Sequence, residues 1–169
     1  MNTEYEKKYS ISNKRLIKNR LIEIGARSLG TKSSEDIYFK VPEKTPRTHY
    51  LRLRTNKGNS ANCTLAYHEV VNDLETREWE TNVENLRVMK EIINKLGFDV
   101  DVVVSKNRET FELGESEIVV DEVKNLGNFI EIESPSKNEI DQIADKLKIN
   151  DQDIVSGLGY PDLLKQKNY

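Results

Sequence analysis

Five stretches of the chain carry two like charges separated by one residue, and this spacing constrains the fold more than any other feature. Successive side chains of a β-strand point to opposite faces, so the two charges of such a pair share a face about 7 Å apart. A solvated sheet gains more from mixing opposite charges than from clustering like ones. Any single pair is compatible with an ordinary wet strand, but five pairs indicate a specialised charged surface. The pairs are Glu4/Glu6, Arg52/Arg54, Glu78/Glu80, Lys106/Arg108 and Glu131/Glu133.

The positions that alternate with these charges are apolar. Leu51 and Leu53 alternate with the arginine pair, and Ile130 and Ile132 with a glutamate pair. Because amphipathic helices need an apolar partner, we expect helices to pack on the outside of the sheet and the charged faces to point inward. A lumen lined by both signs would then require counter-ions. Divalent cations would suit the carboxylates, and an oligophosphate would suit the arginines and lysines.

The order of the predicted elements favours a barrel. Apolar spacing and turn residues predict β-α-β-β-β twice, followed by a helical tail. Each half opens with a glutamate pair on a strand before a helix, which indicates an internal duplication. Eight short antiparallel strands can close on themselves, which removes exposed edges. We therefore predict an α+β fold over a single domain, residues 1–169. It is a closed eight-stranded antiparallel β-barrel, a tunnel, built from two β-α-β-β-β halves with helices outside.

The helix boundaries follow from capping signals. The first helix is predicted from a cap at Ser12 to about Leu29, with Gly30 after it. The second is predicted over about residues 83–96. Ser136 and Glu139 have the spacing of a capping box at the start of a third helix. The tail is predicted to dock through Tyr160, Leu163 and Leu164.

Composition narrows the functional classes. Charged residues make up 33% of the 169 residues and the net charge is −3, which argues against a nucleic-acid-binding protein. No apolar run approaches 18 residues and no signal segment opens the chain, so we expect a cytoplasmic protein without membrane association. Cys63 is the only cysteine, and His49 and His68 are the only histidines. Any metal should therefore be a hard cation bound by oxygen, such as Mg²⁺ or Mn²⁺.

The chain resembles the CYTH family, the triphosphate tunnel metalloenzymes, which includes class IV adenylate cyclases, thiamine triphosphatases and inorganic tripolyphosphatases. The family's N-terminal ExExK motif reads Glu4-Tyr5-Glu6-Lys7-Lys8 here. Further similar stretches follow in order along the chain. They are DIYFKVP, YLRLR, REWE, SKNRETF, VVDEVKNLGNFIEIE and GYPDLL.

The resemblance implies a divalent metal on the acidic residues and a triphosphate on the basic ones. The implied metal ligands are Glu4, Glu6, Asp121, Glu131 and Glu133, with Glu78 and Glu80 as weaker candidates. The implied phosphate-binding residues are Lys8, Arg52, Arg54, Lys106 and Arg108. The chain departs from the family at LAYH, where relatives usually have a lysine as in LTYK. His68 therefore replaces a cation, and it could still donate to phosphate, with a charge near neutral pH that the sequence leaves open.

Two reactions fit these residues. In cyclisation the ribose 3′-oxygen attacks the α-phosphorus of ATP and pyrophosphate leaves, whereas in hydrolysis a metal-activated water attacks the terminal phosphorus of thiamine triphosphate or tripolyphosphate. Both need metal and cations around the leaving group. DIYF, YLRLR and DEVKNLGNFIEIE are most similar to class IV cyclases, so ATP cyclisation is the first expectation and triphosphate hydrolysis the alternative.

Two further interpretations are non-enzymatic. The loss of the lysine at His68 favours a nucleotide- or polyphosphate-binding protein without catalysis, but seven inward acids would have no use in simple anion binding. A plain barrel with its charged strand faces outward is the other. The sequence identifies no general base, and it leaves open whether the protein is a monomer or a homodimer.

Overall fold

The computed structural model describes residues 2–42, 45, 49–56, 59–72, 75–155 and 157–167, without the side chains of residues 2–4 and 59–62. The strands are β1 (Asn2–Ile11), β2 (Arg27–Phe39), β3 (His49–Asn56), β4 (Asn59–Asn72), β5 (Glu75–Val83), β6 (Val100–Leu113), β7 (Ser116–Val123) and β8 (Gly127–Ser134). The α-helices are α1 (Lys14–Glu23), α2 (Leu86–Lys95), α3 (Lys137–Leu147) and α4 (Tyr160–Lys167), and a 3-10 helix covers Asp151–Asp153. None of the described helices is both long and apolar enough to span a membrane.

The eight strands form a closed barrel in the order β1-β5-β4-β3-β2-β6-β7-β8. Every neighbouring pair is antiparallel, and β1 closes the barrel by pairing with both β5 and β8. The element order is β-α-β-β-β for each half, with α1 in the first and α2 in the second. The predicted eight-stranded antiparallel barrel with two halves is therefore confirmed.

Much of the apolar core lies outside the barrel, between the strands and the helices. On one side α1 and α3 bury residues such as Leu21 and Ile140 against Tyr9, Ile130 and Ile132 of the outer strand faces. A second cluster packs α2 on the outer faces of β2, β3 and β4. Full burial of a leucine or isoleucine side chain stabilises by about 1.5–3 kcal/mol. These clusters hold the charged strand faces inward, as the alternation of the sequence predicts.

The first helix is shorter than the sequence predicts. Its cap is Asn13, whose side chain accepts a hydrogen bond from the backbone N–H of Leu16 at 3.0 Å, so the cap predicted at Ser12 was wrong by one residue. Gly25 follows the helix with a φ of +91°, the left-handed conformation that commonly ends helices. The predicted end at Leu29 was therefore wrong, because residues 27–29 already belong to β2.

The start of α3 also differs from the predicted capping box. Ser136 is the N-cap residue but its side chain makes no capping hydrogen bond. The hydroxyl of Ser134, the last residue of β8, instead donates to Glu139 Oε2 at 2.9 Å and accepts from the backbone N–H of Ser136 at 3.3 Å. The side chain of Glu139 in the first turn of α3 is thus hydrogen-bonded to Ser134 of β8 rather than to the N-cap residue.

The tail docks where the sequence predicts. Tyr160 and Leu164 of α4 are buried, and Leu163 is half-buried. They pack with Tyr38 of β2 and Phe129 of β8, among other residues at one end of the barrel. The helix therefore lies across an opening of the tunnel and brings its first residue to the charged lumen.

Candidate functional site

The lumen holds a cavity of about 300 Å³, within the size range of small-molecule sites. Most of the predicted site residues line it. They are Glu6, Lys8, Arg52, Arg54, His68, Glu78, Glu80, Lys106, Arg108, Glu131 and Glu133. Asp121 is fully buried next to the cavity, where it binds two of these cations. Glu4 lies in β1, but its side chain is outside the described residues.

Strand register places opposite charges next to each other in the lumen. Lys8 of β1 lies opposite Glu131 of β8. Arg108 of β6 lies opposite Asp121 of β7. The expectation that each sign in the lumen requires an external counter-ion was therefore wrong for these residues, because antiparallel pairing supplies the counter-ion from the neighbouring strand.

Arg108 is the centre of the densest ion-pair cluster. Its Nε and Nη2 bind Asp121 Oδ1 and Oδ2 at 2.8 and 2.6 Å, and Nη2 also donates to Glu131. Lys8 Nζ is 3.2 Å from Glu131 Oε1, and Lys106 Nζ is 3.3 Å from Asp121 Oδ2. Burial raises the pKa of Glu131, but Arg108, Lys8 and Lys106 outweigh it and hold that pKa well below its usual range. The carboxylate is thus ionised and paired with these cations.

Asp36 is a site residue that the sequence analysis did not select. It is fully buried, and both of its oxygens accept hydrogen bonds of 2.8 Å from Arg54. Burial raises the pKa of Asp36, but Arg54 and Lys106 outweigh it and keep the pKa below its usual range. Asp36 is a single charge rather than one of a like-charge pair, so the pattern did not find it. The apolar Ile37 and Phe39, which alternate with Asp36 and Tyr38 along β2, were the available signal.

The two lysines of the lumen differ in electrostatic environment. Burial lowers the pKa of Lys8, but Glu131 and Glu6 outweigh it and leave the pKa above its usual value. Burial lowers the pKa of Lys106 to about 8, with a further contribution from nearby Arg108. Lys8 is therefore a fixed cation, whereas Lys106 holds its proton less tightly.

On the β3–β5 side of the lumen, Arg52 is the cation between two glutamates. Its Nη2 lies 3.0 Å from Glu78 Oε1 and 3.4 Å from Glu80 Oε2. The structure therefore brings both glutamates to an arginine. A metal-binding role for them stays a prediction.

His68 lines the cavity but is not a cation there. Its Nε2 is 3.2 Å from Glu78 Oε1 without the alignment of a hydrogen bond. Burial lowers the pKa of His68 to about 2, and the positive charges of Arg52 and Arg54 contribute to the decrease. The histidine therefore places a neutral side chain at the position where the resemblance implies a lysine.

The carboxylates at the β1–β8 seam fit a divalent cation. Glu6 lies opposite Glu133 in the strand register, and burial together with the charge of Glu131 raises the pKa of Glu6. Among the side chains that the structure describes, no group of three or more His, Cys, Asp and Glu is arranged to hold a metal ion. Mg²⁺ usually needs only one or two carboxylates when substrate phosphates complete its shell. The seam thus suits a cation that binds together with a phosphate.

Comparison with known proteins identifies the family. A model of the CYTH domain matches residues 2–157. The chain belongs to the CYTH family. Members of this family act on triphosphate substrates, which accords with the charges of the lumen. The assignment of each lumen residue to metal or phosphate stays a prediction.

Similar proteins match over most of the chain. A Methanocaldococcus jannaschii protein named "Putative adenylate cyclase" is 30% identical over 149 residues, which cover 85% of each chain. The structure of a Pyrococcus horikoshii protein superposes with a TM-score of 0.85 at 27% identity, covering 95% of this chain and 98% of that one. A Hippeastrum "putative adenylyl cyclase", whose structure is described with a dominant triphosphatase activity, superposes with a TM-score of 0.72 at 15% identity. It covers 99% of this chain and 96% of that one.

The buried pair of Asp36 and Arg54 should be essential for stability. We expect Asp36→Asn to lower the free energy of unfolding by about 3–5 kcal/mol at pH 7, because it removes the partner of a buried charge. Its pKa lies below the unfolded value, so this contribution is fully present above about pH 4, declines progressively as pH falls further, and is lost only when pH passes the native pKa. Urea denaturation at pH 7 and through the acid range below pH 4 should therefore show a difference between parent and variant that narrows steadily with falling pH.

Glu80→Gln is the matched control, because Glu80 also pairs with an arginine but its side chain is 43% exposed. We expect it to cost less than about 1 kcal/mol. Equal stability of the parent and Asp36→Asn at pH 7 would contradict a structural role for the buried pair.

The neutral state of His68 can be observed directly. Because its pKa is lowered to about 2, its ring protons should show no titration between pH 8 and pH 5 in NMR spectra of the empty protein. His68→Gln identifies the signal by its loss. A titration midpoint near 6.5, the ordinary value for histidine, would show that the ring is not enclosed by burial and arginines as described.

Proposed function

We propose that this CYTH protein is a metal-dependent enzyme that converts ATP to cyclic AMP and pyrophosphate in the barrel lumen. The observation that carries the proposal is the convergence of five arginines and lysines on one cavity whose neighbouring strands carry carboxylates. Arginine and lysine donors bind phosphate oxygens through strong charge-assisted hydrogen bonds. The 30% identity to a protein named as an adenylate cyclase supports cyclisation as the first reaction.

The lumen would bind a triphosphate by exchanging partners. Lys8 and Arg108 contact Glu131, and Arg52 contacts Glu78. A divalent cation, Mg²⁺ or Mn²⁺, held by one or two of Glu6, Glu131 and Glu133, would neutralise charge on the phosphoryl oxygens. The donors of Lys8, Arg108 and Arg52 would turn from carboxylate to phosphate oxygens. Each cation would then keep a charged partner before and after binding, which limits the cost of desolvation.

In the cyclisation the bond between the ribose 3′-oxygen and the α-phosphorus forms while the bond to the pyrophosphate oxygen breaks. The arginines and lysines would stabilise the negative charge that develops on the leaving pyrophosphate. The 3′-hydroxyl would also lose its proton, which would pass to water.

Hydrolysis is the second candidate, with thiamine triphosphate or tripolyphosphate as substrate. The dominant triphosphatase activity described for the Hippeastrum protein on the same fold favours it. The same cations would stabilise the leaving group, so the lumen serves either reaction. A third candidate, a nucleotide- or polyphosphate-binding protein without catalysis, is favoured by the neutral His68 in place of the family's lysine.

A product analysis distinguishes these reactions. The protein is incubated with ATP, thiamine triphosphate or tripolyphosphate, each with Mg²⁺, with Mn²⁺ or with excess EDTA, and the products are separated by chromatography. We expect cyclic AMP and pyrophosphate from ATP, and no product in EDTA. Orthophosphate from any of the substrates would select hydrolysis, binding without turnover would select the third candidate, and full activity in EDTA would exclude a metal-dependent mechanism.

Arg52→Gln tests the role of the lumen cations. Its partners Glu78 and Glu80 keep partial access to water, so the variant should fold normally. We expect kcat/KM to fall by about 100-fold or more, as for removal of one transition-state donor. Lys18→Gln is the matched control, because Lys18 pairs with Glu109 on the outer surface and should leave kcat/KM unchanged. Unchanged kcat/KM in Arg52→Gln would show that Arg52 does not contact the substrate.

A further inference from the structure

The two halves of the barrel carry equivalent helices, α1 and α2. Asn13 caps α1 and Asn85 caps α2, and each side chain accepts a hydrogen bond from the backbone N–H three residues later, at 3.0 and 3.1 Å. Both helices are ten residues long, and the glycines that follow them, Gly25 and Gly97, have φ of +91° and +92°. Positions in α1 and α2 therefore correspond one to one.

One face of α1, which includes Arg20 and Ile24, lies beside α3. Arg20 Nη1 donates to the backbone carbonyl of Leu147, the last residue of α3, at 2.7 Å. Ile24, one turn further on, is half-buried against the apolar cluster that α1 and α3 share with the barrel. The first half of the barrel therefore has a second helix packed beside this face of its own helix.

The equivalent face of α2 is apolar but exposed. Ile92 corresponds to Arg20 and Leu96 to Ile24, and the two α2 residues are 47% and 70% exposed. Val88, one turn before Ile92, is 41% exposed, so the three α2 residues form one stripe along the helix. Among the described elements, the main contacts of α2 are with β3 and β4, and none of them is with a helix. An exposed apolar stripe of this kind commonly marks a contact with another protein.

The stripe is complementary to a second copy of itself. Because Val88 and Leu96 are evenly spaced around Ile92, an antiparallel copy related by a two-fold axis would place Ile92 opposite Ile92 and Val88 opposite Leu96. Glu91 and Lys95 are both exposed, and their spacing puts them on the same flank of the stripe. In such a pair Glu91 of each copy would lie beside Lys95 of the other, which is the opposite-charge pairing that sets partner and orientation in paired helices.

We propose that α2 of one molecule packs antiparallel against α2 of a second copy, through the stripe of Val88, Ile92 and Leu96. The contact lies on the outer surface and does not depend on the reaction in the lumen. Two short helices bury a small area, and interfaces below about 1,200 Å² in total are typically weak and transient. The protein should therefore form a homodimer that dissociates on dilution.

Sedimentation velocity tests whether the stripe carries a dimer. From about 1 µM to about 1 mM, the range of weak dissociation constants, the mass of the parent should rise from one chain to two. Ile92→Glu would place two carboxylates face to face at the two-fold axis and should raise the dissociation constant by about 30-fold or more, as for loss of a central interface residue. Ile22→Glu is the matched control, because Ile22 of α1 is 62% exposed outside the stripe and should leave dimerisation unchanged.

A charge exchange tests the antiparallel arrangement. Glu91→Lys and Lys95→Glu each bring like charges together across the two-fold axis, so each variant alone should dimerise about tenfold more weakly than the parent. An equimolar mixture of the two should form heterodimers with about the parental affinity, because every cross-helix pair is again opposite in sign. Both residues are exposed, so thermal denaturation should show that each variant folds as the parent does.

Three results would overturn the proposal. A parent that is monomeric at about 1 mM would show that the stripe does not bind a second copy and would leave a different protein as its partner. A dimer that Ile92→Glu leaves unchanged would place the contact on another surface. A mixture of Glu91→Lys and Lys95→Glu that dimerises no better than either variant alone would exclude the antiparallel pairing of α2 with itself.

Discussion

Cross-strand ion pairing in the lumen is the interaction on which the rest of the structure depends. Two unit charges 3 Å apart attract by roughly 5.5 kcal/mol at an effective dielectric of 20, whereas two like charges 7 Å apart on one strand repel by roughly 2.4 kcal/mol. The contacts of Arg108 with Asp121 and of Arg54 with Asp36 are at this shorter distance. The like charges within one strand repel each other, but the strand register places an opposite charge from the neighbouring strand beside them. The charges inside the barrel are therefore largely neutralised, and the apolar strand faces point outward, where the helices pack on them.

The same compensation shapes the binding properties of the lumen. A cation bound to Glu131 competes with Lys8 and Arg108, and a phosphate bound to those cations competes with Glu131. Either ligand alone leaves buried charges without partners, which is costly, whereas the two together restore partners for both signs. Metal and triphosphate should therefore bind cooperatively, with a reciprocal coupling free energy.

Local sequence patterns predicted the inward charges but not their partners. The spacing of the like-charge pairs placed most of the candidate residues on the lumen side of the strands, and the family motifs selected them. Asp36 was missed because a lone acid has no pair to mark it, and its partner Arg54 comes from the neighbouring strand through register. Tyr160 was predicted to dock, but its contacts with Lys8 and Lys106 depend on the path of a glycine-containing turn. The predicted ends of the first helix were wrong because the Asn13 cap and the conformation of Gly25, rather than periodicity, decide them.

Calorimetric measurement of the coupling between metal and anion tests the compensated lumen most directly. Tripolyphosphate is titrated into the protein in EDTA and again at saturating Mg²⁺, allowing for the cation that the free anion binds. The account predicts that Mg²⁺ raises the affinity for tripolyphosphate by about 5- to 150-fold, the usual range of coupling between sites, and that tripolyphosphate raises the affinity for Mg²⁺ by the same factor. Equal affinities for the anion in EDTA and in Mg²⁺ would contradict it, because the two ligands would then not share the ion pairs of the lumen.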